Sequence, residues 1–287
     1  LEQPFESPEA RFKEKIRHPA YPVEKLAGLL FAYMGPPEKK PILPKWDILM
    51  RKDAARKIEI PEVLRCNWLQ AMENSVDPAH TYYLHAHTLR LRGGDNQAPY
   101  FYRPLANVDF ELVVHPNWAG IQKRRVFADD NAAVEAPHPL IFPNALFVPV
   151  RSGYAMHFRT PVDDTNTQIY LFRFRPTRDG AREAEPDDPP AEFVRTKNDA
   201  GEFHLEDFTS QDHMAWETQG PIADRAKEHL GESDRGIIML RKLLRDQIRI
   251  VQEGGEPIGI NRDPAKDEVI RLIPDGYNIF SHEIAGA

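Results

Sequence analysis

The residues best equipped for chemistry stand together in NSVDPAHTYYLHAHT, where Asn74, Asp77, His80, His85 and His87 fall within fourteen positions. Asp77 and His80 are three apart and share a helical face. The carboxylate can therefore accept the ring N–H that a metal does not use, which fixes the imidazole tautomer. His85 lies five residues beyond His80, which on a regular helix points about 140° away, so shared ligation needs a distortion. Pro78 offers one, because it cannot donate to the carbonyl of Asn74 and its ring pushes that turn open. Two neutral imidazoles and one carboxylate, with other positions open, form the facial triad on which non-heme Fe(II) activates dioxygen. The carboxylate must come from elsewhere in the chain. Asp212 in FTSQDHMAWETQGPIADR is the candidate, with Asp207 and Glu217 as alternatives that position alone does not separate.

A D-x-x-H pair is more often a surface hydrogen bond than a metal site, so the competing patterns matter. HExxH is absent, since His282-Glu283 is followed by no second histidine. His85-x-His87 begins like a cupin motif, but Thr88 to Gly94 contain no acid, and the HxD start of oxoglutarate-dependent oxygenases is missing. No GxSxG is present, and Cys66 sits in a strand-like, core-like context that does not suit a nucleophile.

The elements that must position these residues alternate in type. PVEKLAG and LLFAYM around Gly28 read as a strand pair, and GPPEKKPILP, with four prolines, reads as an extended linker and domain boundary. KIEIPEVLRC reads as a strand, and the segment from Asn67 to His85 as a helix interrupted near Pro78. VDFELVV, GIQKRRVF, ALFVPV, YAMHFRT and QIYLFRF suggest an antiparallel sheet, and the stretch from Arg178 to Pro190 a surface loop. SDRGIIMLRKLLRDQIRIV places Ile237, Leu240, Leu244, Ile248 and Val251 on one helical stripe with Ser233 as N-cap. The expected class is α+β, one antiparallel sheet embraced by helices. Tyr82, Tyr83, Tyr100, Phe101, Tyr102, Phe142 and Phe147 could line an apolar pocket, although core packing explains each as well. Arg90, Arg92, Arg151, Arg159 and Arg173 could bind a substrate carboxylate, and solvated strand faces explain them equally.

With 37 basic and 44 acidic residues, net −7 and no long run of either sign, the chain has no dedicated nucleic-acid or anionic-membrane surface. One cysteine excludes an intrachain disulfide, a Cys-based zinc site and an iron–sulfur cluster held by this chain alone, and suits the cytoplasm. No stretch approaches the roughly 20 apolar residues of a membrane span.

CNWLQAMENSVDPAHTYYLH resembles the mononuclear iron motif N-x-x-D-x-x-H-x-x-x-x-H of Rieske non-heme iron oxygenases, including the preceding strand and the Asn-Trp pair. QDHMAWETQGPIADRAKEHLGESDRGIIMLRKLL is similar to the same region in the phthalate-dioxygenase-like branch. The opening LEQPFES…HPAYPVEKLAGLLFAYMGP resembles the end of the family's Rieske domain and its exit into the catalytic domain.

The resemblance implies His80, His85 and Asp212 as ligands of a mononuclear Fe(II), and Asp77 as a carboxylate linking them to a cluster histidine of a neighbouring subunit. It places Asn74 close to the iron. It also implies a helix-grip, START-like domain, an aromatic substrate with dioxygen, and electrons from a reductase or ferredoxin. The implied assembly is a head-to-tail homotrimer. Residues 1–45 would be a Rieske-domain remnant and linker, and 46–287 the catalytic domain. The 2Fe-2S cluster needs two Cys-x-His pairs, which this sequence lacks, since Cys66 is followed by Asn67 and Trp68. The expectation is therefore a chain that begins just after the last cluster ligand. The rival readings are a non-catalytic helix-grip ligand-binding module and a zinc hydrolase on the same ligands.

Overall fold

The computed structural model describes residues 4–85, 104–128, 138–150, 153–176 and 188–272. After a short helix α1 (Phe12–Lys15), β1 (Val23–Leu26) and β2 (Leu29–Ala32) form the expected hairpin. Its two-residue turn puts Ala27 and Gly28 at positive φ, the geometry that matches the twist of paired strands. The proline-rich stretch leads into β3 (Lys45–Trp46), helix α2 (Asp47–Met50) and β4 (Ala54–Pro61). Helix α3 (Trp68–Asn74) follows, started by Asn67, whose side chain accepts the Leu69 amide.

The alternating central runs become β5 (Leu105–His115), β6 (Trp118–Phe127), β7 (Leu140–Ile141), β8 (Ala145–Val150), β9 (Gly153–Asp163) and β10 (Asn166–Pro176). With β4 and β11 (Ala191–Val194) they make one eight-stranded sheet in the order β11-β4-β10-β9-β8-β7-β6-β5, antiparallel except for the β11–β4 pair. Helices α4 (Phe208–Glu217) and α5 (Arg235–Gln252) follow, and β12 (Val269–Ile270) returns to pair with β3. The stretch 177–187, most of the expected surface loop, lies outside the described residues.

Because strand side chains alternate, each face of the sheet has its own core. Tyr154, Met156, Phe172 and Phe174 join Trp46, Ile48 and Ile58 on the face covered by the hairpin and α2. On the other face, Ile169 and Leu171 pack against Trp216 of α4, and Ile121 and Leu140 against Met72, Leu240 and Leu243. Helices α3, α4 and α5 therefore lie on that second face, which carries the site.

Helix α5 departs from its expected register. Its buried line is Gly236, Leu240, Leu243 and Gln247, while Ile248 and Val251 stand half exposed. The reason is Gly236: a Cβ there would lie 2.4 Å from both the Val76 carbonyl and the Phe110 ring, so only glycine lets the helix approach this closely. Ser233 is not the cap. It lies in the 3-10 turn Glu232–Asp234 that feeds the helix, and Asp234 accepts the Gly231 amide at 2.7 Å.

An ion network ties α3 to α5. Buried Glu73 accepts from Arg241 Nε at 2.6 Å and Arg225 Nη1 at 2.8 Å, and Arg241 also forks onto Glu228 at 2.6 and 2.9 Å. Arg241→Met leaves Glu73 with Arg225 alone and is expected to cost about 2–3 kcal/mol in urea unfolding at unchanged m-value. The bond from Arg241 holds the Glu228 carboxyl below the usual carboxylate range. A depressed carboxyl stabilises above its unfolded pKa and loses that contribution as pH falls, so the gap between wild type and variant should narrow from pH 7 toward pH 3. A gap that stays constant over that range would refute the assignment.

Candidate metal centre

The first two site residues are placed by a helix that stops and restarts. Helix α3 ends at Asn74, whose carbonyl accepts the Asp77 amide at 3.1 Å. Asp77 Oδ1 then accepts the amides of Ala79 at 2.9 Å and His80 at 3.4 Å, capping a new turn in which Pro78 stands where a missing N–H costs nothing. Thr81–His85 continues as a π-helical turn. Its i→i+5 pattern widens the spiral and brings residues five apart to one side. The expected distortion exists, but it lies after Pro78 and not at it. The rings of His80 and His85 meet edge to face at 5.3 Å.

The third comes from α4. Asp207 caps that helix, its Oδ2 accepting from the amide and hydroxyl of Ser210 at 2.9 and 3.0 Å. Glu217 accepts the Arg65 amide at 3.0 Å and pairs with Lys197 at 2.5 Å. Of the three sequence candidates, only Asp212 points at the histidines. His80, His85 and Asp212 each offer one ligand atom, all within 4.8 Å of one another. Asp212 Oδ1 is buried and receives no well-directed hydrogen bond, although His85 Nε2 stands 3.2 Å away. Atoms this close but not aimed at each other fit a common third centre between them, and the N,N,O set suits a divalent transition metal.

The outer contacts fix both rings. His80 Nδ1 donates to the Asp77 carbonyl oxygen, not to its carboxylate as the spacing suggested; the nearer carboxylate oxygen is 3.9 Å off. The carboxylate is engaged in capping the turn. His85 Nδ1 faces Gln211 Oε1 at 2.7 Å, and Gln211 Nε2 donates to the Leu205 carbonyl at 2.5 Å, which settles the amide orientation. In both rings the network therefore puts the proton on Nδ1 and leaves Nε2 for a metal. Gln211 was not foreseen, and its only sequence signal is its place beside Asp212. Asn74 is half-buried at the end of α3, and its side chain is not among the groups that converge.

Burial pushes the His80 pKa down. For His85 burial acts the same way, but Asp212 and Gln211 outweigh it and raise the pKa above that of a free imidazole. Burial opposes the charge on Asp212, yet His85, His80 and Arg159 hold its carboxyl below the usual range.

Among the described residues, no other sequence candidate joins this cluster. Arg159 is buried and donates to the Ala71 carbonyl and the Ser75 hydroxyl, and Arg173 pairs with Glu59 at 2.8 Å. Arg90, Arg92, Arg151, His87, Tyr100, Phe101 and Tyr102 lie outside the described residues. Tyr83 is 79% exposed and Phe147 is core, stacked on Tyr154. Phe142 lines a cavity of about 800 Å³ with Phe31, Trp46 and Phe158, on the hairpin face and without any of the three converging residues. The Cys66 thiol is fully buried, and burial pushes its pKa up to about 12, which leaves it inert as a nucleophile.

A helix-grip α+β domain with a partly buried His-His-Asp cluster defines the class. The chain belongs to the LigXa C-terminal-domain-like family, whose model matches residues 32–185 and 193–271. It is 38% identical over 282 residues to the 5,5'-dehydrodivanillate O-demethylase oxygenase subunit of Sphingobium sp. (strain NBRC 103272 / SYK-6), covering 94% of this chain and 62% of that one. It is 32% identical to the phenoxybenzoate dioxygenase subunit alpha of Ectopseudomonas oleovorans, covering 95% of this chain and 67% of that one. The chain thus spans about two thirds of the length of these relatives. The relatives are Rieske oxygenase subunits, as the motif resemblance implied. The terminal oxygenase of carbazole 1,9a-dioxygenase from Nocardioides aromaticivorans IC177 shares the fold, with TM-score 0.55 and 18% identity over 85% of this chain and 72% of that one.

Gln211→Leu removes the acceptor that holds the His85 tautomer, and is expected to weaken divalent-metal binding roughly 10- to 100-fold in a chelator competition without loss of helix content. Because His85 must shed its proton to bind, wild-type affinity should climb as pH rises through its raised pKa. Affinity that is flat between pH 6 and 8 would contradict that order of events.

Proposed function

We propose that this chain is the mononuclear-iron catalytic portion of a Rieske-type oxygenase that uses dioxygen to dioxygenate, monooxygenate or oxidatively demethylate an aromatic compound. The observation that carries this reading is the convergence of His80, His85 and Asp212 within 4.8 Å, with Nδ1 of each imidazole already committed. Fe(II) held by these three residues would supply the reductive activation of dioxygen. The residues of the chain do the rest. His80 and His85 bind as neutral imidazoles, Asp212 as a carboxylate, and the Asp77 carbonyl and Gln211 keep the rings from turning.

Asp77 joins the ligand His80 through its carbonyl, which supports its proposed role as the link to a cluster on a neighbouring subunit. The chain's own residues do not fit a 2Fe-2S cluster, because the sequence has one cysteine and it is buried. We take residues 1–45 as the tail of a Rieske domain with its linker and 46–287 as the catalytic domain, assembled as a homotrimer, served by a reductase or ferredoxin and located in the cytoplasm. No helix among the described residues is long and apolar enough to cross a membrane. Relatives named for dehydrodivanillate and phenoxybenzoate support an aromatic substrate.

The test is metal content after anaerobic purification and loading with Fe(II), for wild type and Asp212→Ala. One tightly held iron per wild-type chain, lost in the variant, is expected. No iron in either protein overturns the reading and favours a metal-free ligand-binding module.

A further inference from the structure

The cavity on the hairpin face takes no part in the metal centre, yet it has the size and lining of a ligand site. Its volume is about 800 Å³, inside the range of roughly 300–1,000 Å³ typical of small-molecule sites. None of the described residues that line it carries a charge. Phe31 and Trp46 stand around Phe158, with ring centroids 5.6 and 6.0 Å away and planes turned by 75° and 60°. Rings set at such angles offer both edges and faces to a planar guest. Phe158 and Thr160 line the cavity from β9, whereas Arg159 between them reaches Ser75 on the helix side. The sheet therefore separates the cavity from the face where His80, His85 and Asp212 converge.

Two polar atoms in this wall are buried and unsatisfied. Trp46 is 7% exposed and Asn117 5%, and neither Trp46 Nε1 nor Asn117 Oδ1 has a hydrogen-bond partner. Asn144, also in the wall, is engaged by contrast, its Nδ2 donating to the Arg159 carbonyl at 3.1 Å. Folded proteins rarely leave buried donors and acceptors unmet, because the lost bonds to water are not replaced. The two atoms differ in kind, since an indole N–H only donates and an amide oxygen only accepts. A ligand that meets both must offer one acceptor and one donor. A single hydroxyl group provides both.

We propose that this cavity is a non-catalytic binding site for a neutral, ring-bearing molecule with a hydroxyl group. Its polar group is met by Trp46 Nε1 and Asn117 Oδ1, and its ring lies among Phe31, Trp46 and Phe158. An ion is disfavoured, because no lining side chain would compensate its charge away from water. Leu29 and Phe31 of the β1–β2 hairpin line one side, and Ile58, Ile60 and Phe158 of the sheet another, so occupancy joins the two. Binding should accordingly raise the melting temperature of the chain.

The test uses 2-naphthol as the neutral probe, naphthalene as its counterpart without the hydroxyl, and 2-naphthoate as the charged one. Equilibrium dialysis against the metal-free chain measures affinity and stoichiometry, with melting temperature read on the same samples. Wild type is expected to bind one 2-naphthol, about fivefold or more tighter than naphthalene and about tenfold or more tighter than 2-naphthoate. Trp46→Phe and Asn117→Leu keep the wall apolar and remove one polar atom each. Each should weaken 2-naphthol about threefold or more and leave naphthalene within about twofold, which also shows that the wall is intact. Asp212→Ala should bind 2-naphthol as wild type does, so the site stands or falls apart from the oxygenase reading. A wild type that binds no 2-naphthol overturns the site, as it would if another copy of the chain covered the cavity. An affinity unchanged in both wall variants, or a preference for 2-naphthoate, overturns it equally. Binding lost in Asp212→Ala would put the probe at the metal centre and refute the proposal.

Discussion

The site depends on holding two helices from distant parts of the chain at a fixed separation, and the buried guanidinium of Arg159 joins them. From β9 it donates to the Ala71 carbonyl and the Ser75 hydroxyl at the end of α3, and it lies over the Trp216 ring of α4 at 4.8 Å. One planar cation thus contacts the helix that leads to His80 and His85 and the helix that carries Asp212. A lysine could not do both, because the hydrogen bonds need a fork and the stacking needs a plane. Burial pushes the Arg159 pKa down to about 10, still far above neutrality, so its charge persists and helps keep Asp212 ionised.

The same face shows why the sheet is built with two cores. On the hairpin side its side chains are apolar and close-packed around Phe172, Phe174 and Met156. On the helix side the alternate positions of β9 are given to His157 and Arg159, and β6 places Lys123 and Arg125 there. A strand can be a core element on one face and a functional surface on the other because its side chains alternate. The cavity lined by Phe142 belongs to the first face, and His80, His85 and Asp212 converge on the second.

Much of this was legible in the sequence, for identifiable reasons. The alternating runs in the central third became β5, β6, β8, β9 and β10, because period-two patterning is a local property. The two-residue β7, the parallel partner β11 and the β3–β12 pair carried no such signal, since each exists only through its neighbours. That His80, His85 and Asp212 converge was legible from residue type and motif. The contacts that orient them were not: Gln211 reaches His85 across 126 positions, and the Asp77 carbonyl took the bond that spacing assigned to its carboxylate. The register of α5 was misread because hydrophobicity marks a stripe, whereas the close approach at Gly236 decides which part of it is buried.

The π-helical turn explains how one short segment can serve two demands. His80 and His85, within six residues, point at one centre, and a regular helix allows that at spacings of three or four but not five. Widening the turn solves the geometry, and it is stable only if something anchors each end. Asp77 caps the start, and the His85–Gln211–Leu205 chain ties the end to α4. Without those anchors the segment could relax toward regular helix and carry His85 away from Asp212. The unusual backbone and the outer-sphere hydrogen bonds are therefore one device, and the five-residue spacing between the histidines is its trace in the sequence.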